Sequence, residues 1–288
     1  PIEPILKNLL KIGWKNISPF YAITNCGKKN HPLRNGWEIG KFSNNEKNSI
    51  TQIIKKFSDN DSIKHYEAFI QWHLNCKEVE LENKINIHNR YLIPEFIDKL
   101  IKSKRNNLLV DIGSHKAQLV KKFNNLNLFF NNYLIFEPDT KSRNFIKNNK
   151  KNIFVGKCNI KISKKILFNT NDYVYFEEGL DYCSQIWSKS KKKFNSYTLD
   201  SLHIKPDIIK VHTEGSETAI LMGSINTIKK YNPFIVFSVY HRRKGFYSDI
   251  LKPMEIFKDY YWFFRLHAYQ GTGAFVYAVP KEKLQPNG

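Results

Sequence analysis

Two short fragments constrain this chain more than anything else in its 288 residues. In VDIGSHKAQ at 110–118, the apolar run 108–110 ends in Asp111, passes through a small-residue turn at Gly113 and Ser114, and enters a helical pattern. In IFEP at 135–138, the run 133–136 ends in Glu137. A strand ending in an acid and a tight turn, then a helix, then a second strand tipped by an acid, is how a nucleoside-binding α/β sheet begins. The turn lets a ligand approach the backbone, and the second acid accepts hydrogen bonds from ribose hydroxyls.

The rest of the chain extends that pattern. Strands are expected near 107–112, 133–136, 152–156, 166–170, 208–212 and 234–240, and helices near 116–124, 139–149, 216–231 and 250–259. Alternating strands and helices imply a parallel sheet with helices on both faces. The tail differs: 261–269 and 274–280 flank a Gly-Thr-Gly turn at 271–273, which predicts an antiparallel hairpin. An α/β, Rossmann-like, mostly parallel sheet that closes in such a hairpin is the class I methyltransferase arrangement rather than the simple dinucleotide fold. Residues 1–90 show no strand–helix repeat. They carry helix-like spacing at 49–57 and 65–74, and Pro94 opens a further helical pattern over 94–101.

Charge raises a competing idea. Lys and Arg number 46 against 26 Asp and Glu, a net charge of +20. Such an excess can serve nucleic acid or an anionic surface. Here it is dispersed and accompanied by abundant Asn and Ile, as an AT-biased coding sequence would produce. No RNP-type aromatic motif or zinc finger accompanies it, so the expected partner is an anionic small molecule or glycan and not nucleic acid. Cys26, Cys76, Cys158 and Cys183 have no CxxC spacing, which indicates neither a zinc site nor a redox motif. Reduced thiols in a cytoplasmic protein are expected. The apolar runs are too short to span a bilayer. Peripheral membrane contact and oligomeric state stay open.

A third fragment narrows the reading. PDIIKVHTEGSE occupies 206–217, preceded by TLDS at 198–201. With the first two fragments it resembles the FkbM-type methyltransferases over roughly 95–280. Their habitual pattern here is Lys, aliphatic, acid, aliphatic, Glu, Gly, small, Glu. This chain keeps Lys210, Val211, Glu214, Gly215, Ser216 and Glu217 but carries His212 where the family has its central acid. Ala117 stands where a third glycine is common in the first motif. YHRR at 240–243 and FRLHAY at 264–269 resemble one branch of the family. The resemblance implies S-adenosyl-L-methionine as cofactor and methyl transfer to oxygen, mostly on sugars and related metabolites. It divides the chain into a helical extension over 1–90 on the acceptor side and an S-adenosylmethionine-binding domain over 91–288. Loss of the central acid leaves a divalent metal open as a second cofactor, since imidazole is itself a metal ligand.

Methyl transfer to a hydroxyl requires the acceptor oxygen to be aligned and its proton removed. Histidine suits the proton step, and His212, His241 and His267 fall at or near strand ends. His241 is the first candidate and Glu214 the second, as a base or an acceptor-positioning group. Asp111, Gly113, Ser114, His115, Glu137 and Pro138 are the candidate cofactor residues, with His115 reaching toward the cofactor's carboxylate. Arg242, Arg243 and Lys210 are candidates for binding an anionic acceptor such as a nucleotide sugar. The expected function is O-methylation of a sugar, nucleotide sugar or surface glycoconjugate, in polysaccharide biosynthesis. The alternatives are a nucleic-acid-binding protein or RNA 2′-O-methyltransferase using the basic surface, a nicotinamide-dependent oxidoreductase, and a catalytically weakened methyltransferase homologue.

Overall fold

The computed structural model of the protein describes residues 42–75, 79–81, 89–102, 107–180, 183–268 and 271–284. Expectations for 1–41, and for Cys26 and Cys76, lie outside the described residues. The strands are β1 (Leu108–Ile112), β2 (Asn132–Phe136), β3 (Asn159–Ser163), β4 (Ile166–Leu167), β5 (Tyr173–Glu177) and β6 (Gln185–Ile186). They continue with β7 (Lys193–Tyr197), β8 (Ile208–Val211), β9 (Phe234–Ser238), β10 (Tyr260–Leu266) and β11 (Ala274–Pro280). The helices are α1 (Asn44–Ile54), α2 (Asn60–Asn75), α3 (Pro94–Lys102), α4 (Gln118–Asn125) and α5 (Thr140–Asn148). They end with α6 (Lys150–Ile153), α7 (Glu217–Met222), α8 (Ile225–Tyr231) and α9 (Ser248–Ile256).

Seven strands form the main sheet in the order β10-β11-β9-β8-β1-β2-β3. The five from β9 to β3 are mutually parallel, and β11 runs antiparallel between β9 and β10. This is the expected parallel sheet with a terminal hairpin. Both faces are covered, so the central strands read as unbroken apolar runs: every residue of FIVFS in β9 is buried. Alternate residues feed two cores. Val110, Leu134, Ile209 and Ile235 face one, while Leu109, Tyr133, Ile208 and Phe234 face the other.

The exposed edge of β10 is closed by α2 and the turn before it. The Trp262 and Phe264 N–H groups donate to the Ser58 and Ser62 hydroxyls, and the Leu266 N–H donates to His65 Nδ1. Side chains thus satisfy the alternate donors that an edge strand would otherwise leave free. Arg265 ties the same region together, pairing with Asp59 and Glu95, each at 2.7 Å. Ile53, Tyr66 and Phe69 from α1 and α2 share a core with the sheet, so this helical segment packs as part of the α/β body.

Three expectations need correction. The strand placed at 152–156 is instead the end of α6 followed by extended chain, and the third sheet strand is β3. That strand is an edge, only partly buried, with Asn and Lys among its residues, so its apolar signal is weak. The run at 166–170 yields only β4, which joins a small second sheet in the order β4-β7-β5-β6. The helix expected over 216–231 breaks into α7 and α8 at Gly223 and Ser224, where the Ser224 hydroxyl donates to the Ile220 carbonyl at 2.7 Å.

Candidate active site

β1, β2 and β8 end together at one edge of the sheet, and the turns that follow them shape a narrow cleft. The turn after β1 requires Gly113. Its φ is +69°, and a Cβ there would lie 1.9 Å from the His212 carbonyl oxygen. Its N–H donates to the Phe136 carbonyl at 3.0 Å, which fixes the turn against the end of β2. His115 and Ala117 are also left-handed, at φ +51° and +56°. Ala117 therefore occupies a conformation that suits glycine better, the physical counterpart of its departure from the family pattern.

Glu137 lines the cleft at the tip of β2. Its Oε2 accepts the His115 N–H at 2.6 Å and its Oε1 the Asp139 N–H at 3.0 Å. Among the described residues its hydrogen-bond partners are these two backbone N–H groups. Burial, the dominant influence, pushes its carboxyl up to about 7 against the opposing pull of those two N–H groups. His115, Gly113 and Pro138 line the same space. The opposite wall is apolar and comes from the second sheet, with Ile166, Leu167, Phe176 and Ile186. Sequence reasoning missed this wall because it counted the 166–170 run among the main strands and because β6, at two residues, is too short for any periodicity to register. It also missed Asp139. That side chain caps α5 through the Ser142 N–H and binds the Gly179 N–H and the Ser184 hydroxyl, anchoring the wall to the β2 tip.

Asp111 and Ser114 do not line the cleft. Asp111 is fully buried beneath it. The β1–β8 register sets it opposite Lys210, and the two form an ion pair at 2.8 Å. Ser114 donates to Asp111 at 2.7 Å, and Lys210 also donates to the Gly113 carbonyl at 2.6 Å. This departs from the expectation for all three residues: Asp111, Ser114 and Lys210 bind one another, and none of them lines the cleft. Their polar groups are spent on the turn itself.

The loop after β8 carries the second half of the site. Glu214 adopts φ +57°, a costly conformation for a residue with a side chain, and Gly215 follows at +107°. Glu217 holds this loop, its two oxygens accepting the Thr213 and Gly215 N–H groups, each at 2.9 Å. His212 and Glu214 face the cleft. His241 stands behind Glu214, with Nε2 at 3.2 Å from Glu214 Oε1 and Nδ1 at 3.0 Å from Glu217 Oε1. Burial opposes charge on His241, but the two carboxylates outweigh it and raise the ring to about 10. Of the two leading candidates, Glu214 lines the cleft and His241 does not. Burial raises the Glu214 carboxyl, yet His241 and His212 together hold it well below the ordinary carboxylate range. His212 is lowered to about 3, first by burial.

One further expectation is corrected. His267 is buried on the hairpin, 2.6 Å from the Tyr277 hydroxyl, and does not line the cleft. Arg242 is exposed and lies across Gly215, where a Cβ would come within 2.4 Å of its Nε. The Arg243 side chain lies outside what the structure describes. Sequence reasoning also missed Arg90 and Tyr91, which precede the recognisable motifs and reach His212 at 3.1 and 2.8 Å.

The sequence matches the Methyltransferase FkbM domain over residues 111–269. The chain belongs to the FkbM methyltransferase family. A solved FkbM methyltransferase from Methylobacillus flagellatus KT has a TM-score of 0.61 and 17% identity over 81% of this chain. At that identity the likeness establishes the fold, and the chain spans 59% of that protein's length. A precorrin-6y C5,15-methyltransferase from Geobacter metallireducens GS-15 reaches a TM-score of only 0.33, at 16% identity over 64% of this chain and 84% of its own, and carries no weight. No curated protein matches the sequence. Among the described residues, no helix of the chain is long and apolar enough to cross a membrane.

Proposed function

We propose that this chain is an S-adenosylmethionine-dependent O-methyltransferase acting on a hydroxyl of a sugar, nucleotide sugar or glycoconjugate. The observation that carries the reading is one cleft with two chemically distinct ends. Glu137 sits at the first end beside an apolar wall, and Glu214 sits at the second among histidines.

The residues at the first end fit the cofactor. A buried acid hydrogen-bonded to backbone N–H groups suits a pair of ribose hydroxyls, which stabilise its ionised form by donating to it. The apolar wall from the second sheet suits a flat base. Gly113, His115, Glu137 and Pro138 would hold the nucleoside, which when bound supplies an electrophilic methyl group on sulfur.

At the second end, Glu214 is the proton acceptor. A carboxylate held low is a weak base, but an alcohol oxygen becomes strongly acidic as it is alkylated, so a weak base in the right place suffices. His241 keeps Glu214 ionised, and Glu217 keeps His241 in position. Family resemblance is the support for a sugar acceptor, and the choice among sugars rests with loops around the cleft.

The test is to incubate the protein and S-adenosylmethionine with a panel of nucleotide sugars and surface glycans and seek a methyl mass increment. Glu214→Gln should lower turnover by about 10²–10⁴-fold with cofactor affinity unchanged. Equal turnover in that variant would remove Glu214 from its role. Absence of cofactor binding would remove the proposal.

A further inference from the structure

The ring nitrogens of His212 and His241 and the carboxylate of Glu214 can bring one ligand atom each within 4.8 Å of one another, the spacing of a small metal site. Imidazole and carboxylate together would suit a transition metal. The surroundings of His212 decide whether they can act so.

Its Nε2 faces the cluster, 3.4 Å from Glu214 Oε1 and 3.1 Å from the Tyr240 hydroxyl. Its Nδ1 faces away, 3.1 Å from Arg90 Nη2 and 2.8 Å from the Tyr91 hydroxyl. A guanidinium has donors only, so the nitrogen it meets must carry a lone pair. Nδ1 is then bare, and the proton of the neutral ring resides on Nε2. A metal at Nε2 needs the opposite arrangement, with Nδ1–H donating outward to an acceptor. Arg90 offers none.

Arg90 is not a chance neighbour. Its guanidinium carbon stacks 5.1 Å from the Tyr91 ring centroid and 5.4 Å from that of Phe275, which fixes the fork against the hairpin. Tyr91 is buried and held at φ +76°, strain that persists only where surrounding structure enforces it. Both residues precede the segment matched by the family, 111–269.

We infer that Arg90 locks His212 as its Nε2–H tautomer, making this imidazole a hydrogen-bond donor toward Glu214 and Tyr240 and closing the cluster to a divalent metal. Arg90 is a positioning residue acting through His212. The donor that it creates helps to hold the Glu214 carboxylate in place. The inference concerns a proton's position and a metal affinity, so it stands or falls separately from the methyl-transfer reading.

The test uses the full chain, ¹⁵N-labelled, with His212 assigned by comparison with His212→Gln. Long-range ¹H–¹⁵N correlation should show a neutral ring with Nδ1 bare. A proton on Nδ1 overturns the inference. Separately, Zn²⁺ and Mn²⁺ are titrated by calorimetry into the wild type, Arg90→Lys and Arg90→Met. Arg90→Lys, which keeps a donor, should bind metal as weakly as the wild type. Arg90→Met should bind about tenfold or more tightly than both. Stoichiometric metal binding by the wild type, equal to that of Arg90→Met, overturns the inference. If Arg90→Met does not fold, the wild-type tautomer and the wild-type titration decide the matter.

Discussion

Asp111 and Glu137 are the same functional group at the tips of adjacent parallel strands, and the fold uses them in opposite ways. Asp111 lies fully buried, paired with a lysine and a serine and away from the cleft lining. Glu137 is 6% exposed, opens on the cleft and meets only backbone N–H groups. The first acid is bound into the turn. The second is held under a desolvation penalty that a ligand's hydroxyl groups can relieve. Strand position therefore does not define function in such a sheet; the neighbouring strand's residue does. Lys210 on β8 sits in register with Asp111, and Ser163 on β3, past which Glu137 extends, supplies only a carbonyl.

The sharpest way to break this contrast is to strip each acid of its surroundings. Lys210→Met leaves Asp111 as an uncompensated buried charge and should cost about 3–5 kcal/mol of stability, read by denaturant unfolding. A loss under 1 kcal/mol would mean that the pair is not structural. Glu137→Gln keeps one acceptor oxygen for two backbone N–H groups and should cost about 1–3 kcal/mol of stability, less than Lys210→Met, while weakening S-adenosylhomocysteine binding by about 1–3 kcal/mol.

A smaller effect separates the two acids by pH. Glu137 has its carboxyl raised to about 7 from an ordinary 4.5. The folded state therefore holds this proton more tightly than the unfolded chain does. The resulting stabilisation is complete below the unfolded value and is lost as pH rises through 7. Ribose hydroxyls favour the ionised form, so cofactor affinity should fall roughly tenfold per unit below pH 7 and level off above it. Glu137→Gln should abolish that slope. Smallest of all, Ala117→Gly should change stability by no more than about 1 kcal/mol, because relief of a left-handed alanine is offset by added freedom in the unfolded chain. A larger loss would show that the Ala117 methyl, which is fully buried, packs more usefully than its backbone suggests.

Much of this was legible in the sequence. The runs ending at Asp111 and Glu137 and the Gly-Thr-Gly hairpin specify the central strands and the antiparallel close. The apolar runs of β1, β2, β8 and β9 announce themselves because both faces of each strand are buried. β3 escaped because an edge strand need not be apolar, and β6 because it is too short; the run that gives β4 was seen, but not its place in a second sheet. Glu137 and Glu214 could be picked out as strand-end acids. The fates of Asp111, Lys210 and His267 could not, because each depends on a partner that only the register or the hairpin packing supplies. Arg90 was hidden for the same reason: nothing in an isolated Arg-Tyr pair reveals that it will meet a histidine on β8's far end.

The most direct measurement is calorimetric binding of S-adenosylhomocysteine to the wild type below pH 7, repeated in buffers of different ionisation enthalpy. Ionisation of Glu137 on binding predicts release of close to one proton per ligand, a release that disappears in Glu137→Gln. Tight binding with no proton released, or an unchanged release in Glu137→Gln, would show that the nucleoside is held elsewhere.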